Sequence, residues 1–170
     1  MVMWSRSIEE EETFTRRHLA WARSRHDGTW SPVRYLDTRQ GLVYASNPSL
    51  SLNRRGNALA VWWTRTGRND MRASRFRPGD GWTRPQDLGR SCCYPHALLT
   101  PSGTAVALLG QNRRSSATVW AYQHPGQRWR TRAIPVPYVR DANGYGSNMA
   151  MLYYEPNLTA RMLTMATPSQ

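Results

Sequence analysis

Apolar and polar residues alternate and cluster in a way that predicts short strands joined by tight turns. Ser49-Leu50-Ser51-Leu52 switches polar to apolar at every step, the pattern of a half-buried strand. Asn53-Arg54-Arg55-Gly56-Asn57 follows, a turn with a glycine available for positive φ. Residues 58–64 are then almost continuously apolar, as in a strand covered on both faces. A second turn at 66–70 leads to a third strand at 71–77. Pro78-Gly79-Asp80-Gly81 turns into Trp82, which opens a short fourth strand ending near Leu88.

The same order recurs: 97–100, a turn at Pro101-Ser102-Gly103, then 104–109, 118–123 and 129–134. Residues 47–84 and 94–131 superimpose without a gap at a spacing of 47, matching at Pro48/Pro95, Leu52/Leu99, Gly56/Gly103, Ala58/Ala105, Ala60/Ala107, Pro78/Pro125, Gly79/Gly126 and Trp82/Trp129. A period of roughly 40–50 residues marks a propeller or another stacked array, and four antiparallel strands per unit is how a propeller blade is built. The small residues Ala58, Ala60, Ala105 and Ala107 are expected where successive inner strands crowd together.

Upstream, 19–25, a turn at His26-Asp27-Gly28-Thr29 and 30–36 fit the second half of an earlier unit. Trp30 answers to Trp82 at a spacing of 52. Val2-Met3-Trp4-Ser5-Arg6 matches Val61-Trp62-Trp63-Thr64-Arg65, with the acidic run 9–12 as a hairpin tip. Downstream, 147–154 and 158–166 around a turn at Glu155-Pro156-Asn157 read as the first half of a further unit. The expectation is an all-β chain of four-stranded antiparallel blades, a partial β-propeller of about 3 to 3.5 blades: a partial blade at 1–40, blades at 45–90 and 92–136, and a partial blade at 143–170. Closed propellers typically have 4–8 blades. The sequence is therefore read either as a fragment of a longer product or as a subunit that completes a ring with copies of itself through open blade edges.

Asn53-Arg54-Arg55-Gly56-Asn57-Ala58-Leu59-Ala60-Val61-Trp62 and Ala73-Ser74-Arg75-Phe76-Arg77-Pro78-Gly79-Asp80-Gly81-Trp82 resemble a family of bacterial propeller-like repeats. Its units read roughly as strand, Asp/Asn-x-x-Gly-Asn-Ala, aliphatics, Trp, loop, Ala-x-Arg, Pro-Gly-Gly, Trp. The resemblance covers most of the chain and is sharp from about residue 47 to 131. It implies an exported or surface protein, generally without an assigned activity. Ser24-Arg25-His26-Asp27-Gly28-Thr29-Trp30 and Asp80-Gly81-Trp82 also resemble shortened Asp-box turns of sialidase-type propellers. The full box has a longer Ser-x-Asp-x-Gly-x-x-Trp spacing, and Gln127 stands where its aspartate would be in the next repeat. That likeness is architectural and carries no catalytic residue with it.

Composition adds one surprise. The formal charge is +12, and all 23 basic residues are arginine, with no lysine. A surface shaped for phosphate normally draws on both residue types. Complete replacement of lysine points instead to a coding sequence rich in G and C, as in actinobacteria, and puts nucleic-acid binding third among the functional readings. The longest wholly apolar run, 58–63, is far too short for a membrane helix. The first residues lack the apolar stretch of a signal peptide. Taken as it stands the chain reads as cytoplasmic, and as secreted or cell-surface if it is part of a longer exported protein. The two cysteines, Cys92 and Cys93, are neighbours and exclude ordinary stapling within the chain. They are read as small residues leading into a strand, with a vicinal or intermolecular bridge as the alternative.

No catalytic, metal-binding or cofactor-binding set is assigned. His18, His26, His96 and His124 lack metal-ligand spacing, and there is no Gly-x-Ser-x-Gly elbow or phosphate loop. Gly144-Tyr145-Gly146 reads as a flexible turn, and Asp141-Ala142-Asn143-Gly144 lacks the glutamate that completes a calcium loop. The recurring Trp30, Trp82 and Trp129 are assigned to packing between blades. Trp21, Trp62, Trp63 and Trp120 do not recur uniformly, and of these Trp63 and Trp120 are taken as candidates for a sugar-stacking surface. Arginines alternate at Arg23/Arg25, Arg75/Arg77 and Arg128/Arg130/Arg132, so on strands they share one face. Arg75 and Arg77 are the candidates for bidentate capture of a carboxylate or phosphate. The leading reading is a non-catalytic interaction or glycan-binding scaffold, taking a glycan or protein ligand. The enzyme-class alternative is a remnant of a sialidase-like glycoside hydrolase propeller.

Overall fold

The computed structural model describes residues 1–10, 14–37, 44–65, 69–90, 94–111, 118–134, 139–145, 148–154 and 160–166. These hold fifteen strands and no helix. The strands are β1 (Val2–Glu10), β2 (Phe14–Ala22), β3 (Arg34–Asp37), β4 (Tyr44–Leu52), β5 (Ala58–Arg65), β6 (Asn69–Arg77), β7 (Gly81–Trp82), β8 (Gln86–Arg90), β9 (His96–Leu99), β10 (Ala105–Gln111), β11 (Thr118–Gln123), β12 (Arg130–Ile134), β13 (Val139–Tyr145), β14 (Asn148–Tyr154) and β15 (Ala160–Ala166). The chain is all-β, as the alternation predicts.

The strands group into antiparallel sheets in chain order. β1, β2 and β3 form the first, extended by a bridge between Ser24 and Trp30. The second runs β4-β5-β6, with β7 and β8 both on the outer side of β6. Pro85, which has no N–H to give the ladder, lies in the gap between those two short pieces. A single parallel pair, Arg17 with Tyr44, joins the first sheet to the second. The third sheet is β9-β10-β11-β12 and the fourth β13-β14-β15.

The period of two along each inner strand sends alternate residues to opposite neighbours. From β5, Ala60 and Trp62 pack on Leu19 and Ala45 on the side of the first sheet, whereas Leu59 and Val61 join Ala97, Leu99, Ala105 and Ala107 of the third. From β10, Val106 and Leu108 face the other way, onto Trp120, Ile134 and Val139 at the start of the fourth sheet. Ala58, Ala60, Ala105 and Ala107 are thus the small residues on which the preceding sheet sits, and all four are buried. Core and stacking are one thing here.

Between inner strands the contact is polar. The N–H groups of Ala97 and Leu99 on β9 donate to Ser49 Oγ and Ser51 Oγ on β4, at 2.9 and 3.0 Å. The polar half of the Ser49–Leu52 alternation therefore satisfies the edge of the next sheet. Asn53 does the same from its turn: its side-chain oxygen accepts from the N–H of Arg55 and Asn57, and its Nδ2 donates to the carbonyl of Thr100 at 3.4 Å.

The repeat extends to backbone irregularities. Asn47 and Tyr94, 47 residues apart and each before a proline, have φ of 50° and 29°. Gly56 lies at φ +77° in the β4–β5 turn, where a Cβ would come within 3.2 Å of Pro78 Cγ. Gly103 stands at φ +92° with Pro125 Cγ at 3.4 Å from the same imagined atom. Gly56→Ala is expected to cost about 1–2 kcal/mol, for the left-handed backbone and the shifted proline, read as a lower midpoint in urea unfolding.

Two expectations are corrected. The pairing of β1 with β2 sets Met3 opposite Trp21, and that of β5 with β6 sets Val61 opposite Ala73. With Trp21 and Ala73 equivalent at the spacing of 52, Met3 answers to Val61 and Trp4 to Trp62, one residue away from the sequence match. A one-residue slip exchanges the two faces of a strand: Met3 packs toward the second sheet. Gly144 and Tyr145, read with Gly146 as a flexible turn, close strand β13, because ladder pairing with β14 outweighs the poor strand propensity of Asp, Asn and Gly; Gly146 lies outside the described residues. The tip at 11–12, the turn core at 66–68, Cys92 and Cys93, and the turn at 155–157 lie outside the described residues.

Candidate functional site

Beyond the last residue of β2 the chain keeps its alternation, so Trp21, Arg23 and Arg25 lie on one side of the first sheet. That side faces the outer part of the second sheet across a cleft of about 710 Å³. Arg34, opposite Trp21 in the β2–β3 register, stands on the same wall. The far wall is the turn Gly79-Asp80-Gly81 and the segment Thr83-Arg84-Pro85. The floor is aromatic. Trp21, Phe76 and Trp82 meet with centroids 5.8, 5.9 and 5.4 Å apart, all steeply tilted.

Local hydrogen bonds fix the basic wall. The N–H of Ser31 donates to the carbonyl of Arg23 at 2.8 Å, and the N–H of Arg23 donates to Ser31 Oγ at 3.1 Å. The second sheet repeats both bonds between Thr83 and Arg75, at 2.8 and 3.1 Å. In the loop between Arg25 and Trp30, Asp27 Oδ1 accepts from the N–H and hydroxyl of Thr29 at 2.9 and 2.6 Å. Those bonds, the hydroxyl's foremost, hold the Asp27 carboxyl below its ordinary value. The turn is therefore best held above the usual carboxylate pKa and loosens as pH falls through the lowered one.

Arg23, Arg25, Arg34 and Arg84 are all exposed at the cleft, against one carboxylate among the described lining residues, Asp80. Several guanidinium groups stand above the half-buried Trp82, with Trp21 and Phe76 buried beneath it, and form a site for an anion whose carboxylate or phosphate oxygens the forks take. Among the described residues no group of three or more His, Cys, Asp or Glu could hold a metal ion, and no helix is long and apolar enough to cross a membrane.

The four residues singled out from sequence do not form one site: Arg75 and Arg77 are neighbours on β6, whereas Trp63 and Trp120 belong to two different core clusters. Trp120 is 2% exposed among Leu98, Val106, Leu108 and Ile134, and Trp63 is half-buried against the core between the second and third sheets. Arg75 is half-buried and reaches the third sheet, donating to Gln123 Oε1 at 3.1 Å and to the carbonyl of Gly103. Burial, then the charge of Arg77, lowers its pKa. Arg77 is exposed and pairs with Gly81 of the cleft wall. The alternating pair Arg23/Arg25 was visible in the sequence. Only the fold shows that its repeat equivalent, Arg75, is drawn into the sheet-to-sheet contact.

No protein-family model and no curated protein matches the chain. Solved structures are similar to it, among them two that indicate its fold. The Hadza microbial sialidase Hz136 matches with a TM-score of 0.58 at 14% identity, over 88% of this chain and 38% of that one. A protein of unknown function from Dyadobacter fermentans DSM 18053 matches with a TM-score of 0.62 at 13% identity, over 95% of this chain and 51% of the other. The chain thus spans about half or less of the length of each. At these identities the likeness concerns the fold, which is all-β and distantly propeller-like.

Proposed function

We propose that the chain is a run of β-propeller blades, divided at 1–40, 45–90, 92–136 and 143–170, that serves as a non-catalytic interaction scaffold. Its cleft between the first two blades binds an acidic glycan. The observation that carries this reading is the cleft lining: four exposed arginines around the half-buried Trp82, with one carboxylate among the described residues that line it. The half-buried Trp82 suits the apolar side of a sugar ring, and guanidinium forks suit its carboxylate or sulfate. Arg77, beside Gly81, extends the basic rim, while Arg75, Trp63 and Trp120 serve the contacts between blades. A catalytic carboxylate pair would instead favour the glycoside hydrolase reading.

A glycan array with uronic, sialylated and sulfated sugars beside neutral ones tests the proposal. Retention confined to acidic glycans is expected. The Arg23→Ala/Arg25→Ala variant should lose about 10- to 100-fold in affinity at unchanged circular dichroism, the scale of two lost charge-assisted contacts. Equal binding of neutral sugars, or full affinity in the variant, would count against it. Turnover of a fluorogenic sialoside would establish the hydrolase reading, and a nucleic-acid complex stable at physiological salt the third one.

A further inference from the structure

The chain makes the same sheet-to-sheet contact twice, closed in one case and open in the other. Arg23 and Arg75 are equivalent at the spacing of 52, and the same pair of backbone bonds brackets each of them. Arg75 lies over the third sheet and uses its donors on Gln123 Oε1 and the Gly103 carbonyl. At the contact between the first and second sheets, Phe76 holds the position of Gln123, 47 residues earlier, and Trp21 that of Ala73. The two rings pack on each other, fill the space where a guanidinium would lie, and offer it no acceptor. Arg23 is left exposed at the cleft.

Two further arginines at the cleft break the repeat. Arg34 stands opposite Trp21 as Gln86 stands opposite Ala73, and Arg84 holds the position of Thr131, 47 residues later. One belongs to each wall. Among the described residues the guanidinium groups of Arg23, Arg25, Arg34 and Arg84 make no hydrogen bond or ion pair. Against the single carboxylate of Asp80 in the described lining, these four leave an excess of three positive charges. One carboxylate occupies one fork, so a ligand with a single acid group would leave most of that charge unanswered.

We propose that the cleft is multivalent: it takes a stretch of polysaccharide with a carboxylate or sulfate on successive sugar residues, rather than one acidic sugar. Arg23, Arg25 and Arg34 meet acid groups from one wall and Arg84 from the other, with the half-buried Trp82 between them. This rests on the reading of the cleft as an acidic-glycan site and adds the number of charges it engages. The size agrees. A volume of about 710 Å³ lies well inside the roughly 300–1,000 Å³ of sites that enclose a drug-sized molecule, more than a single sugar ring fills. Arg34 and Arg84, which the repeat does not require, are the residues that turn a monovalent site into a multivalent one.

Titration calorimetry of the full chain with galacturonic acid, its dimer and its trimer, beside the neutral galactose oligomers, tests this. Affinity should rise at least about 10-fold from uronate monomer to trimer, the scale of one added charge-assisted contact. The logarithm of affinity should fall against that of salt concentration with a slope of about −2 to −3 for the trimer and about −1 for the monomer. In the Arg34→Ala/Arg84→Ala variant, both changes being at exposed positions, the trimer should keep no more than about a 2-fold advantage over the monomer. A sulfated galactose trimer run against its own monomer separates sulfate from carboxylate as the preferred acid, and the same rise with length in either series bears the proposal out. Equal affinity of monomer and trimer in both series, equal salt slopes, or an unchanged trimer advantage in the variant would overturn the proposal and leave the acidic-glycan reading standing. Failure of every acidic sugar to bind would end both. Tighter binding of a single-stranded oligonucleotide of the same charge would overturn it in favour of nucleic acid.

Discussion

Trp62→Ala is expected to lower the free energy of unfolding by about 3–5 kcal/mol, the range for deleting a large aromatic from a core. Trp62 is fully buried on β5, the central strand of the second sheet, and packs on Leu19, Ala45 and Ala60. The side chain therefore fills space between two sheets as well as within one. A domain is stable by only about 5–15 kcal/mol, so this one truncation removes a large share. Urea unfolding at matched protein concentration measures it, and a loss below about 1 kcal/mol would show that the first sheet does not bear on the second as described.

Arg75→Met is expected to cost about 1.5–3 kcal/mol, the value of hydrogen bonds made by a charged group. Methionine keeps most of the apolar stem and removes the donors that reach Gln123 and the Gly103 carbonyl. Both acceptors belong to the third sheet, so the loss should appear as weaker docking of the second sheet on the third. Arg23→Met, at the equivalent and exposed position, should change stability by no more than about 0.5 kcal/mol. The same unfolding experiment run on both variants decides the matter: equal costs would mean that Arg75 contributes no more than a surface arginine.

How much of this was legible beforehand depended on how local the signal was. The turns at Asn53–Asn57 and Pro101–Gly103, and the strands beside them, follow from alternation and glycine placement, and the structure has them where they were expected. The repeated alanines told correctly where sheets approach each other. Periodicity failed where a strand is specified by its partner: β13 carries Asp, Asn and Gly, and only its ladder with β14 makes it a strand. The match of residues 2–6 to 61–65 failed by one position: local identity favoured Val2 on Val61 and Arg6 on Arg65, whereas the ladder sets Met3 at the position of Val61. The cleft was half visible. Arg23 and Arg25 showed their alternation, but Arg34, Arg84 and Phe76 come from three other segments, and no local pattern joins them. Trp120 was singled out because it breaks the repeat, and the fold uses it to fill the space against Ile134 and Val139.

The glycine–proline contacts at the turns have a consequence for how such a chain grows. Gly56 and Pro78 lie in one repeat, and Gly103 and Pro125 in the next. Each unit carries both halves of its own lock. A tandem duplication or deletion of one 47-residue block therefore copies or removes a complete lock and leaves no orphaned glycine facing the wrong neighbour. Gene rearrangement can then change the chain in steps of a whole unit at little structural cost, whereas a crossover between the two turns of a unit stays harmless only if it pairs equivalent positions.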